Sequence, residues 1–205
     1  MPSKQNKGQQ KTGFTIIEVV LVLAIAGLIF LMVFVALPAL QRSQRDTQRR
    51  NDMSRVDTSL VQYQTNHSTG ANNLPEGPAF CLASRDFSLS NGNKIACDFI
   101  REYMNTGVAN TENTFMDPDG SLYNIYFSEN WATTKKQLVT SHGPARLKQG
   151  EASGAYTLDT TFDDHMIYVI PGGRCQGDEV VRDSARHFAI MYRLEGAGVY
   201  CIDDQ

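Results

Sequence analysis

The chain has 205 residues, 20% of them charged, with a formal net charge of -3 and a mean hydropathy of -0.31, average figures for a single soluble domain. At 41% hydrophobic and 9% aromatic it is not disordered throughout, one apolar run is too few for a transporter, and four cysteines are too few for a disulfide-stapled mini-protein. No block recurs at a period of about 20 to 50 residues, which excludes solenoids and propellers.

Residues 1–13 hold Lys4, Lys7 and Lys11, no acid and no hydrophobic periodicity, and read as a targeting leader. Phe14-Thr15-Ile16-Ile17-Glu18 follows, and residues 19–37 then carry no charged or polar side chain. As a helix, residues 14–37 rise about 36 Å, enough for a hydrocarbon core of about 30 Å. A secretory cleavage pattern exists at Ala24-Ile25-Ala26, but it lies inside the apolar run, and a cut there would leave half a membrane helix on the mature chain. Glu18 does not suit a plain anchor, because an ionised carboxylate within a span costs about 2.5 to 3.5 kcal/mol and so points to a partner. A cut between Gly13 and Phe14 would place a new amino group four residues, about one helical turn, from that carboxylate.

Gly13 to Glu18 followed by an apolar helix resembles the class III leader of type IV prepilins and the related pseudopilins. The resemblance implies that a prepilin peptidase cuts after Gly13 and N-methylates Phe14. It also implies that Glu18, fifth in the mature chain, neutralises the terminus of a neighbouring subunit during assembly. Three lysines precede the span and Arg42, Arg45, Arg49, Arg50 and Arg55 follow it. Both flanks are therefore basic, and the orientation rests on the cleavage motif and the cysteines rather than on charge bias.

Pro38, inside a continuing helix, predicts a kink or local melting over residues 36–40; in pilins a proline at comparable depth marks the part that loosens in the filament. Over residues 41–66, Met53, Val56, Leu60 and Tyr63 form a narrow apolar stripe at helical spacing that faces a domain. Residues 42–55 have five arginines against Asp46 and Asp52, net +3, whereas residues 56–205 have eleven basic against nineteen acidic side chains, net -8. This basic collar has three readings: pairing with acidic domains of neighbouring subunits, attraction to DNA or anionic lipid, or a solvated helix face with intrahelical pairs.

Residues 67–80 read as a loop, residues 95–105 as a short helix, and residues 122–127, 155–158, 166–170, 188–194 and 199–202 as strands. The last two flank Glu195-Gly196-Ala197-Gly198, a glycine-bearing hairpin loop. Met116-Asp117-Pro118-Asp119-Gly120 is a turn sequence that also resembles the Asp-Pro-x-Gly turn of major pseudopilins; a calcium role for Asp117 and Asp119 is disfavoured because the full ligand series of an EF-hand is missing. Cys81, Cys97, Cys175 and Cys201 lack zinc spacing and predict two disulfides, with Cys81–Cys97 and Cys175–Cys201 the favoured pairing among three. His67, His142, His165 and His187 are dispersed, and no nucleophile motif is present, so surface or packing roles are expected for them.

Together these give an α+β class. Its members would be a cleaved leader (1–13), a transmembrane and filament-core helix (14–40), an amphipathic continuation (41–66) and a globular head (67–205) whose antiparallel β-sheet packs on the helix, as in the pilin fold. The expected function is that of a structural type IV pilus subunit without enzymatic activity, cofactor or metal. It would be a single-pass precursor in the cytoplasmic membrane, leader inside and carboxy-terminal domain outside, later assembled into a surface filament. Expected partners are further copies of the chain, the peptidase, the assembly platform and the membrane; nucleic acid is not indicated. The alternatives are a pseudopilin of a secretion system and a membrane-anchored adhesin or binding module that stays monomeric.

Overall fold

The computed structural model describes residues 13–67, 74, 79–81 in their backbone, 98–104, 115–121, 123–128, 131, 147–149, 154–159, 165–196 and 198–204. The chain divides into two compact units, residues 1–41 and 42–205. Helix α1, Ile16–Asn66, runs without interruption through the boundary. Pro38 removes one backbone bond, yet residues 36–40 are helical throughout, so of the kink or local melting expected there the melting is not found. One missing bond among the many of a 51-residue helix is tolerated.

In the first unit the large apolar side chains are exposed; Phe30 and Phe34, for instance, keep 66% and 75% of their surface. The second unit is built in three layers around one sheet. Its five strands are β1 (Ala79–Cys81), β2 (Asn124–Phe127), β5 (Met166–Pro171), β8 (Phe188–Arg193) and β9 (Val199–Asp203), in the order β1-β2-β5-β8-β9. Because side chains alternate across a strand, Ile125, Phe127, Ile167, Val169, Phe188 and Ile190 face α1, where Met53, Val56 and Leu60 are fully buried. The helical residues Phe99 and Ile100, Met104 just beyond that helix and the half-buried Tyr63 close this layer, so the stripe expected on α1 is the docking face.

The intervening residues Tyr126, Met166, Tyr168, Ile170, Ala189 and Met191 face the other way, into a second core with Trp131, Leu158 and Val180. That core is capped by a four-stranded sheet, β3 (Leu147–Gln149), β4 (Tyr156–Leu158), β7 (Glu179–Arg182) and β6 (Gly173–Gln176), in the order β3-β4-β7-β6. All six residues of β5 are buried, as expected of a continuous apolar strand covered on both faces.

Two expectations need correction. The main sheet is not wholly antiparallel, since β2 pairs in parallel with β5, Asn124 opposite Met166. The chain between them crosses over by way of β3 and β4, which belong to the other sheet. Furthermore, β1, β3, β6 and β7 are strands beyond the five expected, and β1 begins inside the segment read as a loop. These strands have three or four residues each, too few for alternation to show. The β6–β7 hairpin turns at Gly177, whose φ of 65° an L side chain adopts with difficulty.

Gly173 opens β6 for a packing reason. A Cβ there would sit 2.7 Å from Val180 Cγ2 and 3.1 Å from both Ile170 Cγ2 and the Ile170 carbonyl oxygen. Gly173→Ala is therefore expected to cost about 1 to 3 kcal/mol through overpacking. The urea midpoint reads this, and an unchanged midpoint would contradict so close an approach.

Candidate functional site

At the amino terminus of the first unit, Thr15 caps α1. Its hydroxyl and its backbone N–H donate to Glu18 Oε2 at 2.8 and 2.9 Å, while the Glu18 N–H donates to Thr15 Oγ1 at 3.4 Å. This is the reciprocal capping box, and the Thr-x-x-Glu spacing is its sequence signature, although the cleavage motif by itself assigns no role to Thr15. The cap fixes the Glu18 carboxylate against the first turn, where the positive end of the helix dipole favours an anion. Phe14, Ile16 and Ile17 around it are 88%, 85% and 74% exposed. Gly13 has open space where a Cβ would stand, so packing does not require glycine there. The helix that follows is long and apolar enough to cross a membrane, and its most apolar window has no buried residue.

In the second unit, Arg42, Arg45, Asp46, Arg49 and Asp52 lie on the same face of α1 as Met53, Val56 and Leu60, because their spacings of three and four bring them one above another. The face is thus ionic over its first three turns and apolar beyond. Arg49 keeps only 6% of its surface. Its Nε and Nη2 donate to Asp117 Oδ2 and Oδ1, both at 2.7 Å, and its Nη1 reaches Asp46 Oδ1 at 3.3 Å. Arg45 makes a second two-pronged pair, Nε and Nη2 to Glu195 Oε2 and Oε1 at 2.6 Å. Asp46 Oδ1 also accepts the Glu195 N–H at 2.9 Å, which ties the β8–β9 turn to the helix.

Tyr192 donates its hydroxyl to Asp117 Oδ2 at 2.7 Å, and Tyr123 donates to Asp52 Oδ2 at 3.1 Å. Burial raises the Asp117 carboxyl, but the bonds from Arg49, Tyr192 and the Asp119 N–H more than offset this and hold it below the usual carboxylate range. The bond from Arg45 likewise lowers Glu195. Burial dominates at Asp52 and raises it.

The basic collar is therefore largely spent within the chain. Arg45 and Arg49 are taken by Glu195 and Asp117, 150 and 68 residues away, and not left for acids of another subunit. Arg49 with Asp46 and Arg55 with Asp52 also pair along the helix. Charge counting found the collar but not its partners, since opposite charges distant in sequence carry no local signal of their meeting.

The Asp117-Pro118-Asp119-Gly120 sequence forms the expected turn, with the Gly120 N–H donating to the Asp117 carbonyl at 2.8 Å and Gly120 at φ 93°. Asp117, Asp119 and His165 bring one potential metal-ligand atom each within 4.8 Å of one another. Both oxygens of Asp117 are already occupied, Oδ1 by Arg49 and the Asp119 N–H, Oδ2 by Arg49 and Tyr192. Among the described residues of this group, Asp119 and His165 keep a ligand atom that Arg49 and Tyr192 do not occupy.

The disulfide Cys175–Cys201 is formed as expected, joining β6 of one sheet to β9 of the other. The expected pair Cys81–Cys97 lies outside the described residues, Cys97 entirely and Cys81 in its side chain, and so does His142. His67 stacks on Tyr63 with ring centroids 4.1 Å apart, and His187 pairs through Nδ1 with Asp183 at 2.7 Å. No protein-family model, curated protein or solved structure matches the chain.

Proposed function

We propose that this chain is a prepilin-like structural subunit of a type IV pilus. Prepilin peptidase cuts it between Gly13 and Phe14 and methylates the new terminus. Residues 14–40 hold the precursor in the cytoplasmic membrane, leader inside and head outside, until the assembly platform draws it into a helical filament with further copies of itself. The head then has the pilin fold, with its sheet riding on the outer half of α1.

One observation carries the reading: Gly13-Phe14 and the acid at Glu18 open a helix whose exposed apolar half is continuous with the half that docks the sheet. An exposed apolar stretch of this length needs either lipid or other helices around it, and in this reading it meets both in turn. The glycine at 13 has no packing role, which suits a residue selected by the enzyme that cuts beside it. Glu18 is held by Thr15 until a neighbour's methylated amino group replaces that cap.

Mass spectrometry of the mature amino terminus tests the processing step. The expected product begins with N-methylated Phe14 and lacks the 13-residue leader, which carries three positive charges; a chain beginning upstream of Phe14 refutes it. Glu18→Ala should insert into membranes normally and yield few filaments by electron microscopy, and normal piliation removes the assembly role from Glu18. Fibres at the surface that depend on this chain distinguish a pilus from a secretion pseudopilus.

A further inference from the structure

The β6–β7 hairpin belongs to the second sheet but is joined to the main one by two links that lie side by side. Gly172 leads from β5 into β6, and residues 183–187 lead from β7 back to β8. The links are bonded to each other through both backbone groups of Gly172. Its N–H donates to the His187 carbonyl at 2.7 Å, and its carbonyl accepts the Asp183 N–H at 2.8 Å. Gly172 does this at φ 74°, a conformation that favours glycine. Asp183 and His187 are thus the two residues through which the return link holds the outgoing one.

Their side chains also meet, with His187 Nδ1 2.7 Å from Asp183 Oδ2. An ionised carboxylate can only accept, so Nδ1 carries a proton in this bond, and the proton that comes and goes with pH is the one on Nε2. Two more elements are fastened to the same stretch. From α1, Gln64 Nε2 donates to the Arg186 carbonyl at 3.1 Å, and just beyond β9 Asp204 Oδ1 accepts the Phe188 N–H at 3.1 Å. The charges around the ring favour imidazolium. Besides Asp183, Asp204 and Asp203 act on it from the end of β9, while Arg174 on β6 favours the ionised form of Asp183. Gln64, which α1 brings here, is neutral.

We propose that the Asp183–His187 pair is a pH-operated clamp on this corner, which tightens the joint between the two sheets and the end of α1 when Nε2 is protonated. A charged ring makes the bond to Asp183 a charge-assisted one, drawing the two ends of the return link together and steadying the Gly172 bonds between them. With a neutral ring the bond remains but is weaker. The bond to Asp183 holds His187 above its ordinary value of 6.5. A raised histidine contributes stability that is complete below the unfolded value of about 6.5 and is lost as pH rises through the higher value of the folded chain. The side chains of His187 and Asp183 keep 39% and 29% of their surface, so water screens the pair and its effect is that of a partly exposed ion pair. Asp57, which burial pushes up to about 6, titrates over a neighbouring range, and variants that leave it in place separate the two.

The experiment uses the full chain in detergent micelles. Imidazole NMR of the native protein should show His187 titrating above 6.5, with a lower midpoint in Asp183→Asn. Amide hydrogen exchange then reads the corner itself. From about pH 5.5 to about pH 8, the protection of the Gly172 and Asp183 N–H groups, corrected for intrinsic exchange, should fall about two- to fivefold more in the native chain than in His187→Gln. A native His187 midpoint at or below 6.5, a midpoint that Asp183→Asn leaves unmoved, or an equal loss of protection in the two proteins would overturn the clamp. The native midpoint decides the matter even if a variant does not fold. None of these readings depends on cleavage or filament formation, so the clamp and the pilin reading fail separately.

Discussion

Replacing Arg49 with alanine should destabilise the unit of residues 42–205 by about 3 to 5 kcal/mol, a large share of what holds a domain of this size together. Asp117 is 2% exposed and takes two hydrogen bonds from Arg49. Without the guanidinium it would remain a buried anion with Tyr192 and a backbone N–H as its donors. Asp46 would lose a partner at the same time. Urea unfolding of the full chain in micelles measures the loss, and a cost under about 1 kcal/mol would mean that water reaches Asp117 as readily as Arg49 does.

The acid side of the stability profile follows from the same contacts. Asp117 and Glu195 are held below their ordinary values, so the stability they contribute is present above the usual carboxylate range and is lost as pH falls below it. Asp57 is displaced the other way and gains over the range from about 6 toward about 4. The two effects oppose each other as pH falls.

The second large effect concerns Cys175 and Cys201. Converting both to serine should cost about 3.5 kcal/mol, the chain-entropy value for a loop closed across 26 residues. The bond joins β6 of one sheet to β9 of the other, beside the hydrogen bond that the Cys175 N–H donates to Asp203 Oδ2 at 2.7 Å. A reductant should lower the native midpoint by at least as much as the serine exchange does. Equal midpoints for the native protein with and without reductant would show that β6 and β9 are held together by packing alone.

Much of the molecule is written locally. Met53, Val56, Leu60 and Tyr63 follow the helical period, and each lies on the docking face. Glu195 and Gly196 lie in the turn between β8 and β9, where the Leu194 N–H donates to the Gly198 carbonyl at 2.8 Å. The Asp-Pro-x-Gly turn also formed where its residues called for it. In each case residues within a turn or two of one another carry the information, and φ preference or period is enough to read it.

What was not legible depends on residues far apart. Arg49 is an ordinary charged residue on an amphipathic helix until Asp117 arrives from 68 positions away, after which it is the buried centre of a network. At the amino terminus the cap between Thr15 and Glu18 was available from spacing alone, because it closes within three residues.

The sequence by itself therefore determined the apolar stretch, the helical docking stripe, the Asp-Pro-x-Gly turn and the cysteine pair that closes the carboxy-terminal end, since period, length and turn chemistry are local properties. Only the tertiary structure decided that β2 runs parallel to β5, that a second sheet covers the back of the first, and that the basic collar is answered by acids of its own chain. Those outcomes are choices among partners distant in sequence. Burial decides between them, by making an unpaired charge or an uncovered apolar face cost more than ordering the chain that covers it.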